Sequence, residues 1–125
     1  MKLRNVTIGA DPELFIINEK TKKVVSAVGL IPGEKGNPWR ADDMPEGFGL
    51  ETDNILAEFN IPPVKDGINF VTNIVYMQEY IDRFVKSKNP NLGIKCIASQ
   101  TVPTSELQSD QAKLFGCDVD YNAYT

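Results

Sequence analysis

Apolar residues recur along this chain in two rhythms. Alternation at every second position marks Val6 to Ala10, Leu14 to Asn18, Val24 to Val28, Phe48 to Asp53 and Ile55 to Ile61 as short strands. The first two are one extended stretch interrupted at Asp11-Pro12, because proline cannot donate to a ladder and sits at edges or bulges. Polar Glu19-Lys20-Thr21-Lys22-Lys23 then returns the chain, so the first elements are predicted to be antiparallel. From Asp66 the rhythm changes. Phe70, Val71, Ile74, Met77, Ile81, Phe84 and Val85 recur at three- and four-residue steps, which predicts one helix from Phe70 to Val85, with Asp66 as its N-cap. Asn89-Pro90-Asn91 and Gly93 end it; Ile94 to Ser99 reads as a strand and Ser105 to Leu114 as a short helix. The expected fold is α+β, a single domain over 1–125 in which an antiparallel sheet carries one long helix packed on one face.

Against this background two acidic residues stand out. Glu13 is followed by Leu14-Phe15-Ile16-Ile17, and Glu58 lies inside Ile55-Leu56-Ala57-Glu58-Phe59. A carboxylate taken from water is costly unless a cation or several donors compensate it, so acids within apolar strands suggest a metal or a structural partner. Side chains at i and i+2 share a strand face: Asp11, Glu13 and Phe15 look one way, and Leu56, Glu58 and Asn60 share another face. If the two strands adjoin, Glu13 and Glu58 converge on an open face and supply the hard oxygen ligands that Mg²⁺ prefers. Asp11, Asp53 and Asn60 are further possible ligands or supports for ligands; Asp11 before proline serves equally well as a turn former, and Asp53-Asn54 is more often a turn former than a ligand.

Four blocks carry a resemblance. Ile8-Gly9-Ala10-Asp11-Pro12-Glu13-Leu14-Phe15-Ile16, Val25-Ser26-Ala27-Val28-Gly29-Leu30-Ile31-Pro32-Gly33-Glu34-Lys35, Asp53-Asn54-Ile55-Leu56-Ala57-Glu58-Phe59-Asn60-Ile61-Pro62-Pro63 and Phe115-Gly116-Cys117-Asp118-Val119-Asp120-Tyr121-Asn122-Ala123-Tyr124-Thr125 resemble, in this order, the N-terminal part of the phage-type carboxylate-amine ligases, the type 2 amidoligases of the glutamine synthetase-like superfamily. The resemblance implies part of that ligase fold, an antiparallel sheet bearing metal-binding acids. It also implies ATP-dependent joining of a carboxylate to an amine through an acyl phosphate, with Mg²⁺ and ATP as cofactors. In this comparison Glu13 matches the acid of the first-strand Gly-x-x-x-Glu element and Glu58 the acid of the following strand block. The family's downstream His-bearing strand and the rest of its nucleotide site have no counterpart here. The chain is therefore expected to work with a further C-terminal part or as a homo-oligomer, and not to turn over ATP alone.

The stretch from Gly29 to Glu46 loses periodicity and collects prolines and glycines, a long connection of the kind that is often functional. Lys35 and Arg40 in it are candidates for meeting nucleotide or substrate phosphate, and Trp39 for stacking on a ring; the plainer alternative is a solvated loop with one aromatic packed on the body. Composition trims the alternatives. A net charge of −4 with scattered basic residues argues against nucleic acid. With no histidine, Ser-His and Cys-His nucleophile pairs and imidazole metal sites are excluded. Cys96 and Cys117 lack metal-ligand spacing, and two thiols without a signal sequence point to reduced cysteines and a cytoplasmic location, the host cytoplasm if phage-encoded. Apolar runs are too short for a bilayer. Asp118 and Asp120 resemble half a calcium loop but lack its required Gly and Glu, so a turn closed by side-chain bonds is the simpler expectation. Two other classes stay open beside the ligase: a non-catalytic structural or interaction module, such as a phage assembly or virion component on the same scaffold, and a carboxylate-lined cation-binding module without ATP.

Overall fold

The first reversal is made by side-chain bonds. In the computed structural model, which describes residues 6–114, the Asn18 side chain accepts the backbone N–H groups of Lys20 at 3.0 Å and Thr21 at 3.1 Å. This turn joins β1 (Glu13–Asn18) to β2 (Lys23–Val25), paired antiparallel with Ile16 opposite Val25. The second hairpin joins β3 (Gly49–Asp53) to β4 (Leu56–Asn60) through Asn54 and Ile55. Asn54 takes φ 52°, a left-handed conformation that asparagine tolerates better than most residues. The strand order is β2-β1-β4-β3, and β5 (Leu92–Lys95) also pairs with β1.

The predicted α+β class therefore describes the molecule, with a curled antiparallel sheet and one long helix. Alternation separates the two faces of β1, β4 and β3. Leu14, Ile16, Leu50, Ala57 and Phe59 are buried on one face, where they cluster with Met77, Ile81 and Val85 of the helix α1 (Gly67–Lys88). The opposite face carries the acids. Asp66 caps α1 by accepting the Asn69 N–H at 2.8 Å, and donor bonds from Asn69 hold its carboxyl below the usual range. The helix is longer at both ends than the periodicity predicts, and Val71 does not belong to its buried stripe. Val71 is 57% exposed. Six residues from Met77, at about 100° per residue, it is turned about 120° from the packed line.

Other differences have local causes. Only Ile8 of the Val6 to Ala10 stretch is paired, in a bridge to Val64. The second strand ends at Val25 because Ala27 turns to donate to the Ile55 carbonyl at 2.8 Å. β5 is shorter than the predicted Ile94 to Ser99 strand and shifted towards the helix, running from Leu92 to Lys95, with Lys95 opposite Phe15. The short helix divides into a 3₁₀ turn at Thr104–Leu107 and α2 (Asp110–Lys113), capped by Ser109. The block from Phe115 to Thr125, with Cys117, Asp118 and Asp120, lies outside the described residues. Among those described, no helix is long and apolar enough to cross a membrane.

The irregular connection is neither free nor solvated throughout. It runs along the outer edge of β3: Thr52 donates its N–H to Gly33 at 3.1 Å, and Trp39 and Leu50 exchange backbone bonds of 2.7 and 2.9 Å. A β-carbon on Gly33 would collide with the Leu50 carbonyl oxygen and the Trp39 nitrogen, so this close approach requires glycine. Trp39 packs against Phe84 and Tyr80 of α1, with ring centroids 5.2 and 6.4 Å away. It is thus tied to the body rather than presented to a ligand.

Candidate metal centre

Three neighbouring strands bring four acids to one face. Glu13 of β1 stands directly opposite Glu58 of β4, whose other neighbour in register is Glu51 of β3. Asp53 follows Glu51 by two residues and so shares its face. Glu51, Asp53 and Glu58 are only 6%, 8% and 6% exposed, whereas Glu13 lies at the open rim. One carboxylate oxygen from each of Glu13, Asp53 and Glu58 lies within 4.8 Å of the other two.

Lys35 reaches into this cluster from the edge segment. Its ammonium donates to Glu58 Oε2 at 2.7 Å and to Asp53 Oδ2 at 2.9 Å, and lies 3.8 Å from Glu51 Oε1. The Gly36 N–H supports Glu51 through Oε2 at 3.2 Å. One ammonium does not balance four carboxylates, and the protonation energetics register the excess. Burial, then the Asp53 and Glu58 charges, hold the Glu13 carboxyl above its usual range, with Lys35 opposing. Burial and the Glu58 charge likewise raise Glu51, against Lys35 and the Gly36 N–H. The hydrogen bond to Glu58 raises Lys35, with burial opposing. The Asp53 Oδ1 atom is buried with no hydrogen-bond partner among the described residues.

This donor set fits a hard divalent cation. All candidate ligands are carboxylate oxygens, the hard donors that Mg²⁺ takes at about 2.0–2.1 Å and Ca²⁺ at about 2.3–2.6 Å. A buried carboxylate oxygen without a donor is satisfied by such an ion. A recess beside the cluster, lined by Glu34, Lys35, Thr52, Asp53, Asn54, Gln111 and Leu114, has a volume of about 70 Å³. That suits water-sized groups, whereas sites for larger ligands run to roughly 300–1,000 Å³. Asn54 closes one side of it by donating to the Ala112 and Leu114 carbonyls.

The remaining candidates are dispersed. Asp11 accepts from the Asn60 side-chain amide at 2.9 Å, which binds these two to each other and leaves both outside the three-carboxylate cradle. Arg40 donates to the Phe48 carbonyl, and Lys35 faces acids, so the two cations predicted for phosphate are engaged with the protein itself. Asp53, a turn former by sequence, joins Glu13 and Glu58 because it is the last β3 residue before the turn. Glu51 was legible only as part of a strand. The signal for it was its two-residue spacing from Asp53, which puts both on whichever face either occupies.

Comparison with protein-family models, with curated proteins and with solved structures gave no match.

Proposed function

We propose that the acidic sheet face is the metal-binding face of an ATP-dependent carboxylate-amine ligase, which forms an amide through an acyl phosphate. The observation that carries this reading is the direct opposition of Glu13 and Glu58, with Asp53 completing a three-oxygen cradle. Glu13 and Glu58 are the acids that the resemblance to type 2 amidoligases singles out. Mg²⁺ bound there would neutralise phosphate oxygens as a phosphoryl group moves to the substrate carboxylate. Glu13, Asp53 and Glu58 act as ligands, not as proton acceptors; Glu51 and the Gly36 N–H hold Lys35 and the edge segment in place beside them. The small recess leaves room for the ion and its waters, and a nucleotide needs further protein surface. The chain alone is therefore expected to bind the ion weakly and to leave ATP intact.

Phosphate release from ATP, followed with panels of carboxylates and amines, tests this. It should be measured on the chain and on the chain extended by whatever follows it in its gene. Carboxylate-dependent release by the extended protein, lost on Glu58→Gln, is the expected result; its absence from both forms overturns the ligase reading.

A non-catalytic scaffold is the second reading, and the ion pairs of Lys35 with Glu51, Asp53 and Glu58 favour it, because they give three of the acids a partner within the chain. On that reading divalent ions leave the melting temperature unchanged, whereas on the first they raise it.

A further inference from the structure

Two overlapping sets of carboxylates on the acidic face share Asp53 and Glu58, and they differ in what the chain provides for them. The first is filled from within: the Lys35 ammonium lies against Glu58 Oε2, Asp53 Oδ2 and Glu51 Oε1. The second is bounded by Glu13, Asp53 and Glu58. Glu13 has no ion pair among the described residues, and Asp53, 8% exposed, keeps its Oδ1 buried and unpartnered while Oδ2 holds Lys35.

Resting on the metal-centre reading above, we propose that Lys35 is a built-in monovalent cation that permanently occupies one of two neighbouring cation positions, so that the site takes one divalent ion, at Glu13, Asp53 and Glu58, beside the ammonium and not in its place.

Charge and tethering both support coexistence. Four carboxylates exceed one ammonium by three charges, so a divalent ion added beside Lys35 still leaves the face negative by one, and no expulsion of the ammonium is needed to balance it. The backbone on either side of Lys35 is fixed to β3, through Thr52 N–H to the Gly33 carbonyl and through the Gly36 N–H to Glu51, and this keeps the ammonium at its post. Removing the positive charge while keeping the stem would open the first position to a second ion.

Counting bound Mn²⁺ by the loss of its free-ion EPR signal, on the full chain, tests this directly. With chain and Mn²⁺ concentrated enough to saturate a weak site, wild type and Lys35→Arg should bind about one ion per chain and Lys35→Met about two, with Glu13→Gln losing the ion in the wild-type background. Independently of any variant, acylation of Lys35 by acetic anhydride, read by mass spectrometry, should be unchanged or slowed when Mn²⁺ is added. About one ion in both wild type and Lys35→Met, or faster acylation of Lys35 with metal, overturns the two-position inference while leaving the metal centre standing. No ion in wild type, whatever Lys35→Met binds, overturns both. Should Lys35→Met fail to fold by circular dichroism, the acylation rates and the ion count of Lys35→Arg still distinguish coexistence from displacement.

Discussion

Glu13 on β1 and Glu58 on β4 are directly opposed in one antiparallel register, on the sheet face turned away from the helix-packed Leu14 and Ala57. Like charges directly opposite one another destabilise a strand pair. The raised pKa of Glu13, owed first to burial and then to Asp53 and Glu58, expresses the same cost.

Glu13→Gln is therefore expected to raise the urea midpoint of the metal-free chain at neutral pH. An acid whose folded pKa lies above its unfolded value favours the folded state once protonated. The wild type should accordingly lose stability as pH rises from the unfolded value, about 4.3 for Glu, through the folded one, and the variant should lose less. Added Mn²⁺ should stabilise the wild type and not the variant. Equal urea midpoints across this pH range for the two proteins would contradict the charge assignment.

Gly33→Ala should displace the edge segment, because the added β-carbon meets backbone atoms of Leu50 and Trp39 that cannot rotate away. A cost of about 1–3 kcal/mol is expected from overpacking of this kind. Trp39, the single tryptophan, reports the event: its fluorescence should shift as contact with Phe84 and Tyr80 loosens. Unchanged fluorescence and an unchanged denaturation midpoint would show that the close approach is not required.

Met77→Ala tests the packing of α1. Met77 is fully buried, with Ile81 and Val85, against the apolar face of the sheet. Truncation should cost about 2–5 kcal/mol by urea denaturation, while Val71→Ala on the exposed side should change stability by less than about 0.5 kcal/mol. Comparable losses at both positions would refute the assignment of faces.

Tyr80 offers a spectroscopic check on the helix and the connection together. Burial, followed by the hydrogen bond its hydroxyl donates to Asp43 Oδ1 at 2.9 Å, pushes its pKa up to about 12. In a ¹³C-tyrosine NMR titration its ring signal should move last towards high pH, and Asp43→Asn should bring it part of the way back to about 10. No change on Asp43→Asn would place the hydroxyl elsewhere.

The alternation of Leu14 and Ile16 with Glu13, and of Ala57 and Phe59 with Glu58, determined by itself which face of each strand would be apolar, since a strand's side chains have a period of two whatever its neighbours. The spacing of Phe70, Ile74, Met77, Ile81 and Val85, with Asp66 ahead of it, likewise determined the helix, because capping and a one-sided apolar stripe are local properties. Which strands adjoin is not local. The pairing of β1 with β4, and of β4 with β3, is fixed by the packing of Leu14, Leu50, Phe59 and α1 into one core, and only that pairing puts Glu51 and Asp53 beside Glu58 and Glu13. The placement of Lys35 is less local still. It depends on the backbone of Gly33 lying against Leu50 and on Trp39 reaching α1, contacts between residues remote in sequence, so a lysine that read as a loop cation available to phosphate became the partner of three carboxylates.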